Sequence, residues 1–298
     1  MPLVIVAGAS GPIGRALARA LRGQGVEVRR LVRRPQAGPG EVAWDPETGT
    51  LDPRAFDGAD AVVNLAGRSI AALRWTPAVR REILGSRVRS TRLIVDTILS
   101  ASAVPPVLVS ASAIGYYGDR GDEVLDESSP PGHGFLADVA RAWENEARRA
   151  TPAGTRVVFA RFGIVLARDG GMLRAMLPFF RAGLGGPLGS GRQWWSWIHV
   201  GDVAAILAAA TRDASLAGPV NAVSPEPVTN REFTRALAAA LRRPAVFRVP
   251  ACALRLAGGA MADEMILASQ RVTPARLEAH GFQFRWSELE PALRDLLT

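Results

Sequence analysis

The chain contains no lysine, so all 36 of its basic residues are arginine. That absence excludes a Schiff-base lysine, a Walker-type phosphate-binding lysine and any tyrosine–lysine proton-transfer couple. The single cysteine, Cys252, excludes an intrachain disulfide and a cysteine-rich metal centre. There are only two tyrosines, Tyr116 and Tyr117, so phenol chemistry could come from one loop alone. Three histidines, His133, His199 and His280, stand too far apart for metal-ligand spacing, and no metal is expected. No uninterrupted apolar run approaches the roughly 18 residues of a membrane span. The opening "MPLVIVAGAS" lacks a basic leader followed by a cleavable apolar stretch. These absences lead us to expect a cytoplasmic protein with no membrane partner.

What is present suits a packed globular chain. Of 298 residues, 48% are hydrophobic and 21% charged, enough to bury one large core with a smaller lobe. The net charge of +8 is spread along the chain and interleaved with acids, as in "RRE" and "RDASL", without a block of like charges. Nucleic-acid binding would have net charge alone behind it and is not expected.

The order of elements indicates the fold class. "LVIVA" (3–7) is a short continuous apolar run, as in a strand covered on both faces. A Gly-rich turn and a helical pattern follow, then strands at "VEVRRLV", "ADAVVNLAG" (59–67), "PVLVSAS" (106–112) and "TRVVFARFG" (155–163). Helical spacing fills 77–102 and 136–150, and 170–183 has helical character. This alternation predicts an α/β chain, a Rossmann-type doubly wound parallel sheet with a smaller, mostly helical C-terminal lobe. We expect the sheet domain over 1–165, with some return of chain at about 200–225, and the smaller lobe over 166–298. "TNRE" (229–232) spells a capping box, and "TPARL" opens a later helix with Pro274 at its first position.

"GASGPIG" sets Gly8, Gly11 and Gly14 three apart between the first strand and its helix. With Ser10, Pro12 and Ile13 they form a turn that lets backbone approach a pyrophosphate at a helix N-terminus. NAD enzymes place an acid about 20 residues after such a turn. Here no acid occurs from Val28 to Gly40, and the second strand runs into Arg33 and Arg34. Guanidinium groups at that point suit the 2′-phosphate of NADP(H), rather than NAD. An exposed arginine pair at a strand end is the plainer alternative.

Taken together, "GASGPIG", "WDPETG", "VNLAG", "EILGSRVRSTR", "SASAIGYYG", "RFGIVL", "GGPLGSGRQWWSWIHVGD" and "ASQRVTPARLEAHGFQF" resemble the short-chain dehydrogenase/reductase superfamily. The likeness is to its extended epimerase/dehydratase branch, in the subgroup called epimerase family proteins. The resemblance covers essentially the whole chain. It implies that Asn64, Leu65, Ala66 and Gly67 line the coenzyme, with Ser86 a further contact and Ser110 nearby. Arg161, Gly163 and Ile164 would border the nicotinamide. Asp45 would either approach the adenine or turn the chain before Pro46. Related proteins pair through helices, which would make this a homodimer, although the residues give no independent sign of it.

In working members of that superfamily, a Tyr and a Lys four residues apart transfer the proton. Counting back from Glu144, those places hold Leu136 and Ala140. The remaining candidates for catalysis are Ser112, Tyr116, Tyr117 and His199, with Arg161 in place of the lysine. Each has a plainer alternative: the tyrosines would shape their loop, and His199 would fix a loop by bonding to backbone, with Asp202 a partner. Trp194, Trp195 and Trp197 would pack the second lobe or wall a pocket. Asp126 and Glu127 would be solvated or cap a helix. Two functions follow. One is an NADP(H)-dependent oxidoreductase or epimerase acting on a small carbonyl or hydroxyl compound, including sugar derivatives. The other is a non-catalytic NADP(H)-binding protein.

Overall fold

The computed structural model describes residues 1–34, 37–71 and 74–297. Its centre is strand β1 (Leu3–Ala7), five apolar residues that are all buried. Across the sheet, among the described residues, the order is β12 (Gly218–Ala222), β8 (Arg156–Phe162), β6 (Val107–Ala113), β5 (Ala61–Asn64), β1, β2 (Glu27–Val32), β3 (Glu41–Asp45) and β4 (Thr50–Leu51). The neighbours run parallel except at the edge, where β4 returns antiparallel to β3. The chain leaves β1 first toward β2 and later crosses back to β5. The carboxyl ends of β1 and β5 therefore form the switch point at which open α/β sheets leave a crevice.

Alternation along the strands builds two cores. Val4, Val6, Val63 and Val109 face helices α1 (Pro12–Gly23) and α5 (Val200–Ala210), meeting Leu17, Leu21, Val203 and Ile206. Leu3, Ile5, Val62 and Leu108 face the other side, where α2 (Pro77–Ser100) and α3 (Phe135–Arg148) contribute Ile94, Val95, Ile98 and Ala147. A doubly wound, Rossmann-type parallel sheet is thus present, as the sequence pattern predicts.

A third core lies outside the sheet. Leu173 and Leu177 of α4 (Gly171–Arg181), Phe233 and Leu237 of α6 (Asn230–Leu241), and Leu293 and Leu296 of α9 (Leu289–Leu297) close on Trp195 and Trp197. Short ladders stitch this region together. β9 (Ile164–Leu166) pairs with β11 (Trp197–His199), β10 (Trp194–Trp195) with β13 (Val228–Thr229), and β7 (Val124–Leu125) with β14 (Arg271–Val272). The capping box at α6 forms as the sequence spells it, with Thr229 Oγ1 accepting from Glu232 N and Glu232 Oε2 accepting from Thr229 N. Helix α8 (Ala275–Ala279) begins one residue later than its proline suggested, so Pro274 occupies the cap. Helix α7 (Ala251–Gly258) and a π-helical turn, Ala262–Leu267, precede it. Among the described residues no helix is long and apolar enough to cross a membrane.

Candidate functional site: a coenzyme cleft and a buried polar chain

At the switch point lies a cleft of about 780 Å³. Its floor is the glycine turn. Gly8 adopts φ +79°, and a Cβ there would sit 2.7 Å from the Leu65 carbonyl. A Cβ on Gly14 would run into the Gly8 carbonyl oxygen, so the helix can approach the strand only without one. Helix α1 starts with Pro12, is preceded by Gly11 without a side-chain cap, and has no acid in its first turn. Its first N–H groups are left facing the cleft end, ready for an anion. Gly8, Ser10 and Gly11 line the cleft, whereas Pro12, Ile13 and Gly14 lie in the first turn of α1, outside its lining.

The wall beyond β2 is made of guanidinium groups. Arg30, Arg33 and Arg34 all line the cleft, together with Trp44 and Glu41. Glu41 bridges two of them: its Oε1 lies 2.7 Å from Arg30 Nη2, and its Oε2 pairs with Arg34. The Gly38 amide, followed by the Arg34 hydrogen bond, holds the Glu41 carboxyl below its ordinary range. Glu41 is therefore a neutralised clamp rather than an acceptor for ribose hydroxyls. Arg33 makes no hydrogen bond or ion pair among the described residues, which leaves its fork for a ligand. These residues fit a phosphorylated adenosine. Asp45 stays in the hairpin turn, accepting from Glu47 N and Thr48 Oγ1, so the turn-forming alternative describes its placement.

The opposite wall comes from the end of β5 and from α2. Leu65, Ala66 and Gly67 line the cleft, as does Ser86, whose Oγ accepts from Arg68 N at 3.0 Å. Asn64 does not line it. It is fully buried, donates to Thr91 Oγ1 at 2.9 Å and accepts from Ala66 N, which bends the chain after the strand. Arg87 tucks its side chain under Gly67 and donates to the Arg68 and Ile83 carbonyls. Burial lowers its pKa to about 10.

Past the cleft, α3, β6, β8 and β12 carry a chain of buried polar side chains. Arg161 grips Glu144 with two bonds, Nε to Oε1 at 2.8 Å and Nη2 to Oε2 at 2.9 Å, both side chains at most 4% exposed. Ser112 donates its hydroxyl to Glu144 Oε1 at 2.7 Å. On the other side, Arg161 Nη1 donates to the Tyr117 hydroxyl at 2.9 Å, which in turn donates to Asn221 Oδ1 at 2.7 Å. Burial works to lower the Arg161 pKa, but Glu144 and Tyr117 outweigh it and hold it above its usual value. For Tyr117 burial dominates over Arg161, and the phenol is pushed up to about 12. Tyr116 differs. It is half-buried, its hydroxyl makes no hydrogen bond among the described residues, and the Arg161 guanidinium lies 3.5 Å from its ring centroid.

Comparison with known proteins identifies the chain. Residues 4–223 match the model of the NAD-dependent epimerase/dehydratase family. The chain belongs to that family. Residues 249–296 match a second model, a domain of unknown function, DUF1731. Epimerase family protein Mb2239 of Mycobacterium bovis is 45% identical over 291 residues, covering 98% of this chain and 96% of that protein. Human epimerase family protein SDR39U1, solved with NADPH, superposes with a TM-score of 0.91 at 37% identity, over 99% of this chain and 98% of that one. A nucleoside-diphosphate sugar epimerase of Corynebacterium glutamicum superposes with a TM-score of 0.83 at 37% identity, over all of this chain and 58% of that one.

Against the family's tyrosine–lysine pattern, Leu136 and Ala140 stand on α3 as counted. Leu136 abuts Gly115, where an added Cβ would lie 3.1 Å from the leucine Cβ, and Ala140 is buried. Several expected contacts lie away from the cleft wall. Ser110 is buried in β6 with its Oγ 3.4 Å from the Ala111 carbonyl. A Cβ on Gly163 would press 2.5 Å from the Ser196 carbonyl, so that glycine serves close packing, and Ile164 pairs with Trp197 in the third core. Arg161 is occupied by Glu144. His199 caps α5, its Nδ1 accepting from Gly201 N, and stacks on Trp286 at 3.6 Å. Burial depresses it to about 4, so the imidazole is neutral near pH 7. Asp295 Oδ2 lies 3.3 Å from its Nε2, and the cap and the stack fit the loop-fixing alternative. Asp202 instead accepts from Arg285 N and Trp286 N.

Trp195 and Trp197 are packing residues, and Trp194 lies under Arg271 and donates to Asp122. Glu127 is half-buried and accepts from Asn221 N and from Arg276 N, capping α8 from outside. Arg30, Trp44, Glu41 and Ser90 on the cleft, and Asn221 in the polar chain, escaped the sequence reading. For Arg30 a signal existed, since it shares the β2 face of Val32 and leads toward Arg34.

Proposed function

We propose that the chain is a cytoplasmic NADPH-dependent oxidoreductase of the epimerase/dehydratase family, acting on a small carbonyl or hydroxyl compound. When bound, NADPH supplies a hydride to a carbonyl carbon. The rest falls to the protein. The α1 amides would hold the pyrophosphate, and Arg33, flanked by the clamped Arg30 and Arg34, would hold the 2′-phosphate. The human relative solved with NADPH, at 37% identity over nearly the whole chain, supports this choice of coenzyme.

The observation that carries a catalytic reading is the difference between the two tyrosines. Tyr117 is buried and its proton is engaged by Asn221. Tyr116 has a hydroxyl without a partner among the described residues and a guanidinium against its ring, itself locked by Glu144. Tyr116 therefore gives its proton to the substrate oxygen as that oxygen gains negative charge, and Arg161 places a permanent positive charge beside the reaction. Ser112 has spent its hydrogen on Glu144, so it supports the ion pair instead of orienting substrate.

Incubating the protein with NADPH and a panel of aldehydes, ketones and keto-sugars tests the proposal. We expect substrate-dependent loss of NADPH absorbance, with Tyr116→Phe slowing it about 100-fold. Leu136 and Ala140, which cannot carry a proton, favour a second reading, a non-catalytic NADPH-binding protein. Tight NADPH binding without turnover of any compound would establish that reading instead.

A further inference from the structure

The C-terminal segment, which over residues 249–296 matches the model of a domain of unknown function, reaches back to the tyrosine-bearing turn. Residues Ile114–Tyr117 form a single 3-10 turn at the end of β6. Across it, the Gln270 side-chain amide donates from Nε2 to two carbonyls, Gly118 O at 3.0 Å and Ile114 O at 3.3 Å. One amide thus ties both ends of the turn that carries Tyr116. Gln270 is itself fixed through its backbone, with its N–H donating to Trp194 O and its carbonyl accepting from Ser196 Oγ.

The neighbouring residue continues the connection. Ser269 donates from Oγ to Gly121 O, accepts through its carbonyl from Arg120 N, and has its own N–H held by Asp119 Oδ1. Upstream, Glu264 of the π-helical turn accepts from Leu136 N at 2.7 Å, at the start of α3. The segment therefore bonds separately to the tyrosine turn and to the helix that carries Glu144.

We propose that the C-terminal segment is a brace for the active site and that Gln270 is a positioning residue, setting the Tyr116 hydroxyl through the turn it spans. This rests on the reading that Tyr116 delivers the proton, and it assigns that reading's geometry to the region without a known role.

The test uses the scarcity of tyrosine. Ring-labelled tyrosine in the full-length protein gives two phenol signals, which Tyr116→Phe assigns. Gln270→Met keeps the side chain's length and removes both donors. We expect it to displace the Tyr116 signal and, with any substrate found, to lower kcat while leaving KM unchanged. Gln270→Glu adds a pH readout. Carbonyl oxygens and burial raise a carboxyl pKa, so the signal should lie nearer its native position at about pH 5, where the acid has one proton to donate to one of the two carbonyls, and move further away at about pH 8. The wild-type signal should stay put between those values. Coincidence of the Tyr116 signals in wild type and Gln270→Met, whether or not the melting temperature falls, would overturn the inference. So would a Gln270→Glu signal that ignores pH. Because the spectra need no turnover, failure of the catalytic reading and failure of the brace are separately visible.

Discussion

Arg161 lies against Tyr116, its guanidinium carbon 3.5 Å from the ring centroid, while its nitrogens are divided between Glu144 and Tyr117. One cation thereby fixes both tyrosines of the molecule. It can do so only because Glu144 compensates its charge inside the protein, where an isolated guanidinium would be expensive.

Removing that compensation should therefore be costly. Glu144→Gln leaves Arg161 buried with a neutral partner and frees Ser112 from a charged acceptor. We expect a loss of about 3 kcal/mol in unfolding free energy, measured by urea denaturation, and a shift in the Tyr116 environment. Stability equal to wild type would show that the pair is not carrying the network.

Tyr117 can be read alone. In the Tyr116→Phe protein it is the sole phenol, and spectrophotometric titration should show it ionising near pH 12. Because the folded pKa is raised above the unfolded value of about 10, its contribution to stability is complete below pH 10. That contribution is lost as the pH rises toward 12. Ionisation near pH 10 in folded protein would contradict the burial and the bond to Asn221.

His199 gives the opposite dependence. Burial lowers it to about 4, whereas the unfolded imidazole takes up its proton near pH 6.5. Its contribution is complete above pH 6.5, declines as the pH falls, and is gone once the pH has passed below about 4. The amount is on the order of 2 kcal/mol, discounted for partial solvent screening. His199→Asn keeps a capping oxygen without the titration, so its melting temperature should fall less than that of wild type between pH 7 and pH 5. Parallel losses in the two proteins would assign the dependence elsewhere.

How legible was this in the sequence? The strands were, because β1 is a continuous apolar run and β5 is one up to Asn64, and so was the glycine turn as a strand–turn–helix unit, although the Leu65 backbone that crowds Gly8 comes from just past the end of β5. Arg33 and Arg34 were legible as a basic wall, but the clamp was not: Glu41 captures Arg34 only because β3 lies beside β2. The polar chain was hidden for the same reason. Ser112, Glu144, Arg161 and Asn221 come from four separated elements, and nothing local in "ARAWENE" distinguishes Glu144 from a solvated helical acid. Residue type alone could not separate Tyr116 from Tyr117, which differ by burial on adjacent positions of one turn.

The coenzyme site remains the claim on which the others depend, and calorimetry tests it most directly. Folded wild-type protein titrated with NADPH should release heat at a single site, and Arg33→Asp should weaken NADPH binding by about tenfold or more while leaving NADH nearly unchanged. No heat with NADPH, or equal weakening of both coenzymes, would contradict the account.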